Sequence, residues 1–155
     1  MVRPRWLDER EQRAWRGFQA LQRRLDTELA RQLNEDSKLA LSDYEVLVAL
    51  TDQPDGVRAF ALAELLGWDK TRLSHRIKAM AAEGLVAKRP CPVDRRGYFV
   101  VATAKGRRAI EAAAPGHVDA VRRLFIDLLS DEELDAVGDI TERALAALDQ
   151  GAEPA

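Results

Sequence analysis

The chain has 155 residues, 46% of them hydrophobic and 32% charged, a length and balance that fit one compact domain and exclude both a disordered polymer and two ordinary globular domains. No stretch approaches ~18 uninterrupted apolar residues, and the opening MVRPRWLDEREQR lacks the apolar centre of an export signal, so no membrane contact and a cytoplasmic location are expected. The net charge of −2 conceals a polarity: from Asp69 to Arg108 eleven basic residues stand against three acidic ones, a net +8 that leaves −10 elsewhere, so the middle of the chain suits a polyanion and the ends do not.

From about residue 7 to 33, Trp15, Phe18, Leu21, Leu25, Leu29 and Leu33 recur three or four apart among Arg, Glu and Gln, which predicts a long amphipathic helix. Such a length exceeds what a small core needs, so a partner helix from a second copy is expected. Residues 34–41 read as a loop. Ser42-Asp43-Tyr44-Glu45 matches a capping box, in which the serine oxygen accepts from the third amide of the helix and the glutamate reaches back. A helix is therefore predicted from Asp43, with Val46, Leu47 and Leu50 inward and Gln53-Pro54-Asp55-Gly56 ending it.

Val57 to Phe60 reads as a short strand, and Leu62 to Leu66 as a helix closed by Gly67. Asp69 caps a second helix, in which Leu73, Ile77 and Met80 share one face and Thr71, Ser74, His75 and Lys78 lie mostly on the other. Two short helices joined by a tight glycine-containing turn read as a helix-turn-helix. Gly84 ends the second helix. Leu85 to Arg89 and Gly97 to Ala102 have strand composition, and Pro90 to Arg96 between them is a proline-braced basic loop, which makes a hairpin with a charged tip, a wing. Thr103 can cap a helix from Ala104, which Pro115-Gly116 is expected to kink or break before it resumes through Val118, Val121, Leu124, Phe125, Leu128 and Leu129. Ser130-Asp131-Glu132-Glu133 is a second capping box, opening a last helix with Leu134, Val137, Ile140, Ala144, Leu145 and Leu148 inward; residues 151–155 are expected as a disordered tail.

In this setting LAELLGWDKTRLSHRIKAMAAEGLVAKR, followed by DRRGYFVVATAKGRR, resembles the MarR family of transcriptional regulators, over nearly the whole chain. The resemblance implies a mainly α fold with a small β wing. Residues 1–150 then form one domain, with a winged helix-turn-helix lobe at about 42–104 and dimerisation helices at about 6–33 and 105–149. It also implies a homodimer on a pseudo-palindromic operator in double-stranded DNA, commonly a repressor relieved by a small aromatic or phenolic effector.

The residues themselves suit that role. An α-helix fits the major groove, and Lys70, Thr71, Arg72, Ser74, His75, Arg76 and Lys78 offer polar and cationic groups along one helix. Arg72 is the candidate guanine reader, since a guanidinium can donate two parallel bonds to O6 and N7; Lys70, Arg76 and Lys78 suit phosphates. Arg95 and Arg96 stand at the wing tip, where a narrow minor groove attracts a guanidinium. In the family a carboxylate two residues earlier orients the inserted arginine, and Asp94 and Arg96 match that pattern.

Trp15, Arg16, Phe18 and Tyr44 are candidates to line an effector cleft between the dimer helices and the winged lobe, or else to serve as core. Cys91 lies near Lys88, Arg89, Arg95 and Arg96, cations that favour a reactive thiolate, so a redox-sensing regulator is one alternative, with the thiol otherwise a small semi-exposed apolar group. A winged-helix module for protein partners is the other alternative. Duplex DNA is favoured over unpaired nucleic acid because few aromatics adjoin the basic segment to stack bases. His75, Cys91 and His117 lack zinc-ligand spacing, and neither a Gly-rich phosphate loop nor a nucleophile elbow occurs, so no metal, cofactor or enzymatic activity is expected. Two departures from the family stand out: Phe60 occupies the place of a small polar helix cap, and Pro115-Gly116 interrupts a helix that is often continuous.

Overall fold

The first helix begins at a signal in Asp8-Glu9-Arg10-Glu11. In the computed structural model, which describes residues 3–151, Asp8 Oδ1 accepts from the Glu11 N–H at 2.8 Å while Glu11 Oε2 accepts from the Asp8 N–H at 3.0 Å. This reciprocal cap opens α1, Glu9–Ser37. The second helix, α2, spans Leu41–Leu50 behind Ala40, which makes no side-chain cap bond. The capping box expected at Ser42 is therefore not made. Buried Leu39 and partly buried Leu41 anchor this helix start in the core, and the Asp43 carboxylate turns inward to a cation described below.

Strand β1 is only Val57–Arg58, and α3 follows at once as Ala59–Leu66. Phe60 lies inside α3 and neither extends a strand nor occupies the cap, which is Arg58. Gly67, in the left-handed conformation at φ 66°, closes α3. Asp69 caps α4, Lys70–Ala82, by accepting from the Arg72 N–H at 2.7 Å. Strands β2, Val86–Pro90, and β3, Tyr98–Ala102, form the wing. The antiparallel sheet has the order β1-β3-β2, with Val57 opposite Val100 and Pro90 opposite Tyr98.

The sequence Thr103-Ala104-Lys105-Gly106 joins the wing to α5, Ala104–Leu124. Thr103 donates its N–H to the Leu85 carbonyl at 3.1 Å, its Oγ1 accepts from the Gly106 N–H at 3.0 Å, and Lys105 Nζ donates to the Glu83 carbonyl at 2.7 Å. Helix and strand approach so closely here that a Cβ on Gly106 would fall 2.1 Å from the Leu85 oxygen; only glycine fits. Of the kink or break expected there, the break is not made: Pro115 lies within α5 without ending it. Pro115 and Glu111, whose carbonyl loses its usual donor, are both on the exposed side of the helix, where water can supply the missing hydrogen bond.

Two compact units result, one ending at His117 and the other beginning at Val118. The first has its core in Leu33, Val46, Leu47, Leu50, Leu62, Ile77, Met80 and Val100, all essentially inaccessible to solvent; each such side chain stabilises the fold by about 1.5–3 kcal/mol. The second contains the end of α5, a 3-10 turn at Ile126–Leu128 and α6, Asp131–Gly151. The box at its start is formed, with the Ser130 N–H donating to Glu133 Oε2 at 2.9 Å and the Glu133 N–H to Ser130 Oγ at 3.2 Å. No residue of α6 is buried, so the stripe expected to face inward is uncovered, Leu148 at 69%. Gly151 ends α6 instead of starting a tail, and the expected disorder at 152–155 lies outside the described residues. Among the described residues no helix is long and apolar enough to cross a membrane.

Candidate nucleic-acid interface

The orientation of α4 follows from its three buried residues. Leu73, Ile77 and Met80 face the core, and at 100° per residue the opposite side of the helix carries Thr71, His75 and Lys78, all exposed. The other candidates lie on the two flanks. Lys70 and Ser74 line a hollow shared with Arg58, Arg96 and Tyr98 at the base of the wing, whereas Arg72 and Arg76 border a smaller one with Ser42 and Trp68. α4 thus presents a polar outer row with cations on both sides.

Arg72 is not a free arm. Its guanidinium stacks over the Trp68 ring, 4.2 Å from the centroid, which holds the planar group while leaving its edge able to donate. Nothing in the sequence pattern marked Trp68 as that support.

Arg76, expected at a phosphate, is bound within the lobe. Its Nη2 donates to Asp43 Oδ2 at 3.1 Å, and Glu83 lies 3.9 Å away. The Asp43 residue is only 3% exposed. Burial pushes its carboxyl above the usual range, the Glu83 charge adds to this, and the Arg76 cation opposes it. An arginine engaged this way joins α4 to α2 while its side chain stays 30% exposed.

At the wing, Asp94 meets Arg96 through the backbone. Asp94 does not touch the Arg96 side chain: its Oδ1 accepts from the Arg96 backbone N–H at 3.0 Å, and its Oδ2 lies 3.3 Å from Nη2 of Arg58. Arg58 was not a sequence candidate, since its partner is 36 residues away. Arg95 and Arg96 are exposed, and among the described residues Lys70, Lys78, Arg95 and Arg96 are in no ion pair. Their charge is available to a polyanion.

The four effector candidates do not converge. Trp15 and Arg16 line a groove with Trp6 and Gln12 near the start of α1, where Trp15 and Phe18 stack at 6.1 Å and stay about half exposed. Tyr44 is buried and adjoins a different cavity, with Asp26, Glu45, Val48, Leu66 and His117. By the period of α1, Trp15 falls on the same side as buried Leu33, yet Trp15 and Phe18 are about half exposed, so periodicity alone could not tell cleft from core. Cys91, expected semi-exposed, is 8% exposed. Its N–H donates to the Gly97 carbonyl at 3.3 Å, closing the wing loop with the small side chain inside, whereas Lys88, Arg89, Arg95 and Arg96 are exposed, Lys88 with its Nζ 4.8 Å from the centre of the Tyr98 ring.

A helix with a polar outer row, set in a helix-turn-helix and flanked by a basic wing on a three-stranded sheet, defines a winged helix-turn-helix DNA-binding protein. Comparison with known proteins agrees. Residues 37–97 match the MarR family model. Transcriptional regulator HosA of Escherichia coli O111:H- is 33% identical over 118 residues, covering 76% of this chain and 86% of the relative. The crystal structure of AbsC, a MarR family regulator from Streptomyces coelicolor, is similar with a TM-score of 0.88 and 37% identity over 95% of this chain and 99% of that one. Sco3205, a MarR family regulator of the same organism solved in complex with DNA, has a TM-score of 0.88 and 33% identity over 98% and 94% of the two chains. The chain belongs to the MarR family, and is a DNA-binding transcriptional regulator rather than an enzyme.

Proposed function

We propose that the protein acts in the cytoplasm as a homodimeric repressor on a pseudo-palindromic operator. Two copies of α4 enter major grooves about 10 bp apart and two wings enter the flanking minor grooves. The observation that carries this reading is the outward row Thr71, His75 and Lys78 beside Lys70, Arg95 and Arg96, cations with no ion-pair partner among the described residues. Thr71, Ser74, His75 and Arg72 read base edges, Lys70 and Lys78 hold phosphates, and Arg96 enters the minor groove. The uncovered apolar residues of α1 and α6, among them Trp15 at 51% and Leu145 at 60% exposure, are covered by the second copy. The domain boundaries are then a reading lobe at about 42–104 and dimerisation helices on either side of it in sequence.

A small molecule relieves repression from the cavity beside Tyr44, whose volume of about 450 Å³ is in the range of ligand sites. Asp26, Glu45 and His117 line it and no lysine or arginine does. A neutral or cationic aromatic molecule suits that lining better than a phenolic anion. The test is fluorescence anisotropy of the protein with duplex DNA from its own promoter region, at two salt concentrations and with scrambled competitor. Binding that resists the competitor and weakens with salt supports the reading; absence of binding directs attention to protein partners.

A further inference from the structure

Arg58 ends β1 and caps α3, at the junction of the helix-turn-helix with the sheet. Its guanidinium reaches the wing loop: Nη2 is 3.3 Å from Asp94 Oδ2, and a Cβ added to Gly97 would fall 2.7 Å from the same nitrogen. The guanidinium carbon also stands 5.1 Å from the centre of the Phe60 ring, on α3. The group is thus held between a helix of the reading lobe and the wing tip. Asp94 passes the constraint on, since its other oxygen accepts from the Arg96 N–H at 3.0 Å and its carbonyl accepts from the Gly97 N–H at 3.2 Å.

We propose that Arg58 is a positioning residue for DNA recognition, which fixes the backbone of Arg96 relative to α4 through Asp94, so that the wing and α4 meet their grooves in one register. The proposal rests on the reading that α4 and the wing contact DNA. The pair is partly exposed, at 34% and 50% of the two side chains, and ion pairs open to water add little to stability. Its effect is therefore on binding. Without the clamp the loop from Cys91 to Gly97 must be ordered when DNA arrives, and that ordering weakens the complex.

The experiment uses a duplex selected from a randomised library by the wild-type protein, with affinity from anisotropy, minor-groove protection from hydroxyl-radical footprinting, and folding monitored by thermal unfolding. Arg58→Ala and Asp94→Asn should each weaken binding about tenfold, and the double variant no more than either alone, as expected of two residues acting as one unit. Both should lose protection at the wing-contacted flanks and retain base discrimination at the α4 half-sites, with little change in melting temperature. Additive losses in the double variant, or intact flank protection in Arg58→Ala, would overturn the proposal. If the wild type itself selects no duplex, the DNA reading beneath it fails instead.

Discussion

Arg76 donates from Nη2 to Oδ2 of Asp43 at 3.1 Å, joining α4 to α2 by an ion pair whose acid is 3% exposed and whose arginine side chain is 30% exposed. The two ends of this pair should respond differently to mutation. Arg76→Ala strands a buried carboxylate and is expected to cost about 3 kcal/mol. Asp43→Asn leaves an arginine that can turn to water and should cost about 1 kcal/mol. Urea unfolding of both variants checks the asymmetry, and equal costs would mean that Asp43 is better hydrated than its burial indicates.

His117 supplies a pH dependence. Its ring centre is 4.3 Å from that of Tyr44, with Nδ1 3.4 Å from Gln32 Oε1, and burial lowers its proton affinity. The folded chain therefore binds the proton less readily than the unfolded chain, whose histidine titrates near about 6.5. The stabilising contribution is complete above that pH and is lost as pH falls below it and through the lower folded-state value. Between pH 7.5 and 5.5 the wild type should lose more thermal stability than His117→Gln; parallel melting curves would place the ring in water.

For DNA, the reading assigns different signatures to different cations. Arg96→Ala should weaken binding by about 1–3 kcal/mol, with the loss concentrated on operators whose flanks are A·T-rich. Lys78→Ala should weaken all duplexes alike and reduce the salt slope by about 1. Anisotropy titrations over a salt series separate the two; a sequence-dependent loss for Lys78 would make it a base reader.

The uncovered stripe of α6 predicts an interface. Leu145, 60% exposed, should sit against the second copy, so Leu145→Asp should raise the dimer dissociation constant at least about tenfold. Sedimentation velocity at micromolar concentration measures it, and a variant as dimeric as the wild type would place the interface elsewhere.

Cys91 is buried inside the base of the wing loop, poorly placed to meet an oxidant. Cys91→Ser should leave DNA affinity the same with and without hydrogen peroxide, as should the wild type. Loss of wild-type binding that the variant escapes would restore the redox alternative.

The sequence by itself determined the features that depend on neighbours a few residues apart. Asp69 and Ser130 cap their helices, Gly67 and Gly84 adopt the left-handed turns, and the stripe Leu73, Ile77, Met80 fixes which side of α4 faces out. With the two wing strands, these sufficed for the fold and for the outer row of the site. The failures share a cause. Ser42-Asp43 looks like a cap locally, yet Asp43 finds Arg76, 33 residues away; Asp94 matches a pattern with Arg96, yet its side-chain cation is Arg58, 36 residues away. A periodicity shows which side of an element is apolar but not which charged group on another element comes within hydrogen-bonding distance. Only packing sets those distances, and a carboxylate goes to whichever donor packing brings within reach as its water is removed.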